Sequence, residues 1–261
     1  MPKKISIITI NYNNLEGLKR TVQSVINQTW QEFEYVVIDG SSSDGSAAYI
    51  ESESANIDYW VSEPDKGIYN AMNKGIAKAT GEYLLFLNSG DHLHCDEVLD
   101  KNWRYITNHD LVCFNLLVID KDRSEIVLPP KELRFSYFFD GGTLCHPSTF
   151  IKKSLFDIVG LYDENLKIVS DWKFFMIALC KFKATYNYVD TVFSTFYIGG
   201  LSTLDENKFL MIEERTKVLN DEFFIYLNDL KENFALKRII RNLRKSRKID
   251  WLIRLGLLDK F

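Results

Sequence analysis

A single carboxylate, Asp91, closes the run Gly81-Glu82-Tyr83-Leu84-Leu85-Phe86-Leu87-Asn88-Ser89-Gly90-Asp91. The apolar stretch Tyr83 to Leu87 stops abruptly at Asn88, as a strand buried inside a parallel sheet does. Gly90 lets the backbone come close to a ligand just before the carboxylate. In open α/β sheets ligands sit beyond the carboxyl ends of the strands, so Asp91 is placed to face a metal–diphosphate. The competing reading is an ordinary strand-to-helix turn, for which Asn, Ser, Gly and Asp are common residues. His92 and His94 flank the carboxylate as an H-x-H pair, with no further cysteine or carboxylate cluster nearby to favour zinc.

The elements that must deliver Asp91 repeat a pattern. Ile5 to Ile10 is a β-branched run ending at Asn11-Tyr12-Asn13-Asn14, and Leu15, Leu18, Val22, Val25 and Ile26 then recur at helical spacing. Asn13 or Asn14 can cap that helix. Glu34 to Asp39 predicts a second strand ending in a carboxylate, and Gly40 to Gly45 a turn into a short helix through Ile50. Asp58 to Ser62 predicts a third strand, and Asp65-Lys66-Gly67 opens a helix from Ile68 to Ala79. Strands alternating with helices predict βαβ units and an α/β, doubly wound, mostly parallel sheet. Asn11, Asp39, Ser41 and Asp91 then gather along one sheet edge.

Beyond Asp91 the alternation changes. A helix is expected through Val98, Leu99, Trp103 and Ile106, then a strand over Leu111 to Ile119 and a hairpin turn at Asp120-Lys121-Asp122-Arg123-Ser124. Pro129-Pro130 breaks the chain before the aromatic run Phe135 to Phe139 and Cys145-His146-Pro147. Val169-Ser170-Asp171 reads as the cap of a helix carrying Trp172, Phe175, Met176 and Leu179. Two separate strands are expected at Thr185 to Val189 and Val192 to Tyr197. Gly199-Gly200-Leu201-Ser202 follows as a loop able to close over a substrate, and helix runs from about Asp205 to the end.

The 261 residues, 46% hydrophobic and 26% charged, can bury a sizeable core. Four cysteines without C-x-x-C spacing and no recognisable signal peptide favour reduced thiols and a cytoplasmic protein. No apolar stretch reaches the roughly 18 residues a spanning helix needs. Ten basic against three acidic residues give the segment from Lys231 onward a charge of +7, so the first 230 residues carry −11. An acidic body argues against nucleic acid as the partner.

Ile8-Thr9-Ile10-Asn11-Tyr12-Asn13, Val37 through Gly45, Asn73-Lys74-Gly75, Ala79 through Tyr83 and Ser170-Asp171-Trp172 resemble, in order, the motifs of the family 2 glycosyltransferases. Glu63 through Asn73 and Cys145-His146-Pro147 are similar to a bacterial branch that builds surface polysaccharides. The resemblance covers about residues 4–200. It implies a GT-A fold and an inverting enzyme that moves a sugar from a nucleoside diphosphate, with UDP expected, to a hydroxyl of a glycan or lipid-linked acceptor. It implies a catalytic domain over 1–204, with a nucleotide half (1–95) and an acceptor half (96–204), followed by a helical extension over 205–261.

Residue by residue, the resemblance makes Asp39 the acceptor for the uracil ring nitrogen, with Thr9, Asn11, Tyr12 and Ser41 around the base. Tyr12 would offer a stacking face. Asp91 matches the last position of the family's D-x-D motif, which here reads Ser89-Gly90-Asp91 and lacks its first carboxylate. A divalent cation, Mg²⁺ or Mn²⁺, can still bind, because Mg²⁺ commonly takes only one or two protein carboxylates alongside phosphates and water. Ser89 would reach a ribose or a metal-bound water. Met72 stands where many relatives carry arginine, so Lys66 or Lys74 would supply the charge that meets the phosphate, and Asp65, Asn73 and Gly90 are further nucleotide-binding positions. Asp171 matches the catalytic base that takes the acceptor's proton. His146, Trp172 and Gly200 would line the donor–acceptor cleft. Helix cap, turn and core positions are the structural alternatives for these residues.

Ile239, Ile240, Leu243, Trp251, Leu252, Ile253, Leu255, Leu257 and Leu258 interleave with the basic residues of the tail. That pattern fits an interfacial helix on the inner face of a membrane, or a helix packed on the catalytic domain or in a homodimer. Two other functions compete: an inactive nucleotide-sugar-binding scaffold, and a nucleotidyltransferase. The latter normally needs a glycine-rich phosphate loop after the first strand, and Asn11-Tyr12-Asn13-Asn14 is no such loop.

Overall fold

A computed structural model describes residues 4–121, 123–200 and 203–259. Asp122 of the expected hairpin turn, Leu201-Ser202 of the expected loop, and Lys260 and Phe261 at the end of the tail lie outside the described residues. The first half reads β1 (Ile5–Asn11), α1 (Leu15–Ile26), β2 (Phe33–Asp39), α2 (Ser46–Ser52), β3 (Tyr59–Ser62), α3 (Ile68–Lys78) and β4 (Tyr83–Phe86). There follow β5 (His92–Leu93), α4 (Val98–Asn102), β6 (Leu111–Asp120), β7 (Arg123–Val127), α5 (Phe135–Phe139), β8 (Thr149–Lys152) and α6 (Leu155–Val159). The order closes with α7 (Ser170–Cys180), β9 (Tyr186–Tyr197), α8 (Lys208–Arg244) and α9 (Arg247–Arg254). The chain divides into two compact units, Met1–Glu214 and Arg215–Phe261.

One mixed sheet runs in the order β3-β2-β1-β4-β8-β6-β9-β5, with β7 paired to β6. The four strands β3, β2, β1 and β4 are parallel, so Asn11, Asp39 and the exit of β4 share an edge. Every residue of β1 and β2 is buried, as strands covered on both faces require. Leu18, Val22 and Val25 of α1 join Ile5, Ile7, Tyr35, Val37 and Leu85 in one apolar cluster. On the opposite face α3 comes close because Gly75 has no side chain: a Cβ there would lie 2.5 Å from the Ile8 methyl. Gly81 is needed in the turn before β4 for the same reason, since a Cβ would meet the Ser6 backbone nitrogen at 2.6 Å. Glu34 ties that turn to the sheet by accepting from Ser6 Oγ, Thr80 N and Thr80 Oγ1.

The second half departs from expectation in four places. The stretch Thr185 to Tyr197 holds one strand rather than two: β9 pairs with β6 along its length, with register shifts around Asn115. Asn115 donates to Asp190 at 2.8 Å and accepts from Tyr188 at 2.9 Å, so the irregularity is a bulge stitched by side chains. β8 and β5 are strands that apolar patterning does not reveal, and β5 pairs antiparallel with β9 at His92–Thr195. The helix expected as far as Ile106 ends at Asn102 and tightens into a 3₁₀ turn over Trp103–Tyr105. Ser170 and Asp171 are not the cap of α7. They are its first residues, and Val169 occupies the cap position with no side-chain bond.

Candidate functional site

The edge formed by β1 and β2 is organised around Asp39, which is fully buried. Asn11 Nδ2 (2.8 Å) and Ser42 Oγ (2.6 Å) donate to its Oδ1, and the Ser42 amide (3.0 Å) and Ser62 Oγ (2.6 Å) donate to its Oδ2. A carboxylate has about four lone-pair positions, and protein donors take all four. Burial pushes the Asp39 pKa up, but the bonds from Ser42, Ser62 and Asn11 outweigh it and hold the group below the ordinary carboxylate range. The loops on either side interlock: Asn13 N donates to Ser42 Oγ, and Asn13 Oδ1 accepts from Ser43 N. Asn13 and Ser41 both adopt left-handed backbone here, with φ of 48° and 63°.

Tyr12 stands out of this edge 67% exposed, its ring beside Gly40. A Cβ on Gly40 would lie 2.5 Å from the Asp65 carboxylate and 3.1 Å from the Tyr12 ring, so glycine lets these two groups flank the strand end. Asp65 also accepts from the Gly67 amide at 2.8 Å, opening α3. Ser41 and Lys66 are exposed beside them. Three other residues expected at the nucleotide are engaged elsewhere. Thr9 is fully buried below the edge with its hydroxyl on Tyr35 Oη at 3.0 Å. Asn73 bridges α3 to the Tyr162–Glu164 turn through Tyr162 N, Tyr162 O and Glu164. Lys74 pairs with Glu63 at 2.8 Å and donates to Pro64 O.

The loop after β4 is held from both sides. Ser89 N donates to Ile10 O, Asn14 Nδ2 to Ser89 O, and Gly90 N to Thr21 Oγ1, which lies 2.6 Å from the Asp91 carbonyl. Gly90 takes φ of 110°, which glycine adopts without strain. Asp91 is 6% exposed. Burial raises its pKa to about 8, offset in part by the Asn88 backbone. The Asn88 side-chain oxygen is also buried, and no hydrogen-bond partner meets it among the described residues.

A buried carboxylate and an unpartnered amide oxygen three residues apart are the hard oxygen donors that Mg²⁺ or Mn²⁺ prefers, so the donor chemistry fits the expected cation. Among the described residues no group of three or more His, Cys, Asp or Glu could hold a metal alone. His92 and His94 turn to the neighbouring strand: the His92 ring stacks on Tyr197 at 5.6 Å, and His94 Nδ1 lies 3.4 Å from Thr195 Oγ1. The Arg20 guanidinium lies over the same Tyr197 ring at 4.3 Å.

Asp171 sits in the first turn of α7, where the helix N-terminus favours negative charge. Its Oδ1 is 2.9 Å from Tyr69 Oη, and its Oδ2 is 3.8 Å from His146 Nδ1. His146 is buried between Phe86, Tyr162 and Phe175, with Nε2 on Tyr162 Oη at 2.9 Å. Burial lowers its pKa although Asp171 opposes the shift, so the ring is neutral near pH 7. Tyr69 and Tyr162 are pushed far up, first by burial and then by Asp171. Burial raises the Cys145 thiol to about 12, with help from Asp171 and Asp91.

Two of the three residues named for the cleft are buried, and for Trp172 the core alternative holds. Trp172 belongs to the core: it is almost fully buried and donates from Nε1 to Gly142 O at 3.1 Å. His146 is buried beside Asp171. Gly200 is exposed with open space around it. Ser42 and Ser62, which grip Asp39, escape the sequence reading as site residues, although their places at a strand-end turn and a strand end are a usable signal. Tyr69 and Thr21 carry no signal, because each looks like an ordinary helix residue.

The model of the family described as glycosyl transferase family 2 matches residues 6–158. An uncharacterized glycosyltransferase of Mycobacterium tuberculosis is 35% identical over 182 residues, which cover 67% of this chain and 68% of that protein. Among solved structures, S. aureus TarS 1-349 in complex with UDP-GlcNAc is similar in fold (TM-score 0.63, 22% identity, 77% of this chain and 60% of that one). A mannosyltransferase of Pyrobaculum calidifontis in complex with GDP-Man and Mn²⁺ is similar too (TM-score 0.58, 14% identity, 77% and 59%). The chain thus spans about three-fifths of the length of these two solved chains. A nucleotide sugar is bound in both neighbours, and the likeness to them is one of α/β fold. The chain belongs to glycosyl transferase family 2 and is a glycosyltransferase.

Proposed function

We propose that the chain is an inverting transferase that moves a sugar from a UDP-sugar to a hydroxyl of a glycan or lipid-linked saccharide, in the making of a bacterial surface polysaccharide. The observation that carries this reading is that a family 2 chain holds two carboxylates, Asp91 buried past the end of β4 and Asp171 in the first turn of α7. One is a buried carboxylate that no protein cation neutralises among the described residues, suited to a metal–diphosphate. The other is a partly exposed carboxylate with a tyrosine on one oxygen. Inversion needs such a pair, a leaving-group side and a base side. Asp171 Oδ2 takes the acceptor proton as the hydroxyl oxygen attacks the anomeric carbon. Tyr12 stacks on the base, while Asp39, Asn11, Ser41, Asp65 and Lys66 form the edge that receives base, ribose and phosphate. Asp91, with Asn88 and Ser89 beside it, would hold a divalent cation together with the diphosphate, and the cation would supply charge neutralisation on the leaving diphosphate.

The test is release of UDP from a panel of UDP-sugars with Mn²⁺ or Mg²⁺, by wild type and by Asp171→Asn. Wild-type release that Asp171→Asn loses while still binding UDP supports the assignment. No binding and no turnover with any common nucleotide sugar leaves the inactive scaffold as the better account.

For the tail we infer an interfacial role at the cytoplasmic face of the membrane. Leu236, Ile239, Ile240 and Leu243 of α8 form an exposed stripe at helical spacing, flanked by Arg238, Arg241 and Arg244. Trp251 of α9 is exposed close to Arg254 in sequence. No helix among the described residues is long and apolar enough to cross a membrane. Flotation with anionic liposomes, with and without residues 234–261, tests this. Equal binding sinks the anchor, and concentration-dependent dimerisation favours the homodimer reading.

A further inference from the structure

Glu214 lies in the first turns of α8, beyond the residues that match the family, and only 7% of it is exposed. A buried carboxylate is costly unless donors surround it. Here the donors are three consecutive backbone amides: Lys167 N reaches Oε1 at 2.7 Å, and Ile168 N and Val169 N reach Oε2 at 3.0 and 3.3 Å. These amides immediately precede α7, whose cap residue Val169 offers no side-chain acceptor. Glu214 therefore supplies from a distant segment the negative group that a helix N-terminus attracts.

The peptide joining Ile168 to Val169 is gripped at both ends. Its N–H points to Glu214, and its carbonyl oxygen accepts from Tyr69 Oη at 2.6 Å. Tyr69 has one hydroxyl proton and a second acceptor, Asp171 Oδ1, at 2.9 Å. Hydrogen bonds in series polarise one another where the surroundings are apolar. A carboxylate on the N–H side makes Ile168 O the stronger acceptor, which draws the Tyr69 proton toward Ile168 and away from Asp171.

We propose that Glu214 is a positioning residue for the transfer: through the Ile168–Val169 peptide it draws the Tyr69 proton toward Ile168 O and weakens the Tyr69 bond to Asp171 Oδ1, so that the carboxylate can accept the acceptor's proton. This rests on the reading of Asp171 as the base. Tyr69, Tyr162, His146 and Cys145 are the titratable groups that face Asp171 among the described residues, and of these Tyr69 alone touches both Asp171 and the gripped peptide.

The experiment is the pH profile of kcat, with donor KM and UDP affinity, for the full chain carrying Glu214→Gln, Tyr69→Phe, both together, Glu214→Asp, and Asp171→Asn. Glu214→Gln is expected to lower kcat about tenfold. Donor KM and UDP affinity should hold, which also shows that the nucleotide half is folded. The acid limb of the profile should move to lower pH, because the Tyr69 proton then turns more fully toward Asp171. Glu214→Asp keeps the charge and should leave the limb in place. In the Tyr69→Phe background the Glu214→Gln shift should vanish, since the relay is already cut. A limb that does not move in Glu214→Gln, or that moves equally without the Tyr69 hydroxyl, overturns the inference while leaving the base intact. Full turnover by Asp171→Asn would remove the base reading and this inference together.

Discussion

Two carboxylates leave the parallel strands at the same edge and are treated in opposite ways. Asp39, at the end of β2, is wrapped by four donors and held below the usual carboxylate range. Asp91, just past β4, is also hidden from water, and burial lifts it to about 8. Burial alone therefore does not decide the state of such a group; the supply of donors does. Asp39 is already complete as an anion, and on the proposed reading it shapes the loops that meet a base. To receive a ring N–H it must release one of its present partners. Asp91 is incomplete, and positive charge from outside is what would complete it. A carboxylate satisfied by the protein stands beside one that the protein leaves short of donors.

The sharpest way to break this contrast is Asp91→Ala. If the carboxylate waits for a metal–diphosphate, transfer should fall by on the order of 10³ or more. Thermal stability should hold or improve, since an uncompensated buried carboxyl is removed. Transfer persisting undiminished would put the metal–diphosphate elsewhere. Asp39→Asn should do the reverse. It turns one acceptor oxygen into a donor facing Ser42 or Ser62, and loss of two charge-assisted bonds should cost about 3 kcal/mol of stability, read by urea unfolding.

The pH dependence of stability separates the two carboxylates again. Asp91 in the unfolded chain titrates near 3.8, against about 8 in the folded protein. Between those values the folded protein holds a proton that the unfolded chain has released, so stability falls as pH rises through this window. Asp39 runs the other way. Its pKa is depressed, so its contribution is present above the ordinary carboxylate pKa and is lost as pH falls through the lowered value. Melting temperatures of the nucleotide-free protein should therefore decline from about pH 5 to about pH 8, and Asp91→Asn should flatten that decline. An unchanged slope in the variant would mean that Asp91 is ionised without its cation.

The same pair shows what the chain discloses by itself. Both carboxylates are legible because a βαβ alternation fixes which residues end up on one edge, and turn chemistry there is local. The four-donor wrap of Asp39 is half legible, since Asn11 and Ser42 sit in strand-end turns. The Asp171 surroundings are not. Tyr69, His146 and Glu214 reach its neighbourhood from three distant segments, and no period or spacing links them. The bulged β9 reads as two strands because Asp190 interrupts an apolar pattern that Asn115 repairs across the sheet. Long-range polar pairing has no signature in a single sequence.

A smaller effect is expected at Tyr12, whose exposed ring can be deleted without disturbing the core. Tyr12→Ala should weaken UDP binding about tenfold, the scale of one base stacked on an aromatic ring, with an unchanged melting temperature. Equal UDP affinity would leave Asp39's edge without its stacking face.

The least effect, and the finest probe, concerns which cation serves the Asp91 side. Met72 provides none, and Lys74 is committed to Glu63 and Pro64. Lys66 is exposed, and no ion pair involving it occurs among the described residues, so its ammonium can swing toward a diphosphate at little cost. Lys66→Ala should raise donor KM about threefold, the fraction of a kcal/mol expected of one exposed charge. Lys74→Ala should leave KM alone and reduce stability by less than about 1 kcal/mol, because a half-exposed pair is well screened. If the two variants exchange these outcomes, the Glu63 pair opens when donor binds, and the positive charge that Asp91 lacks is matched on the phosphate side by Lys74.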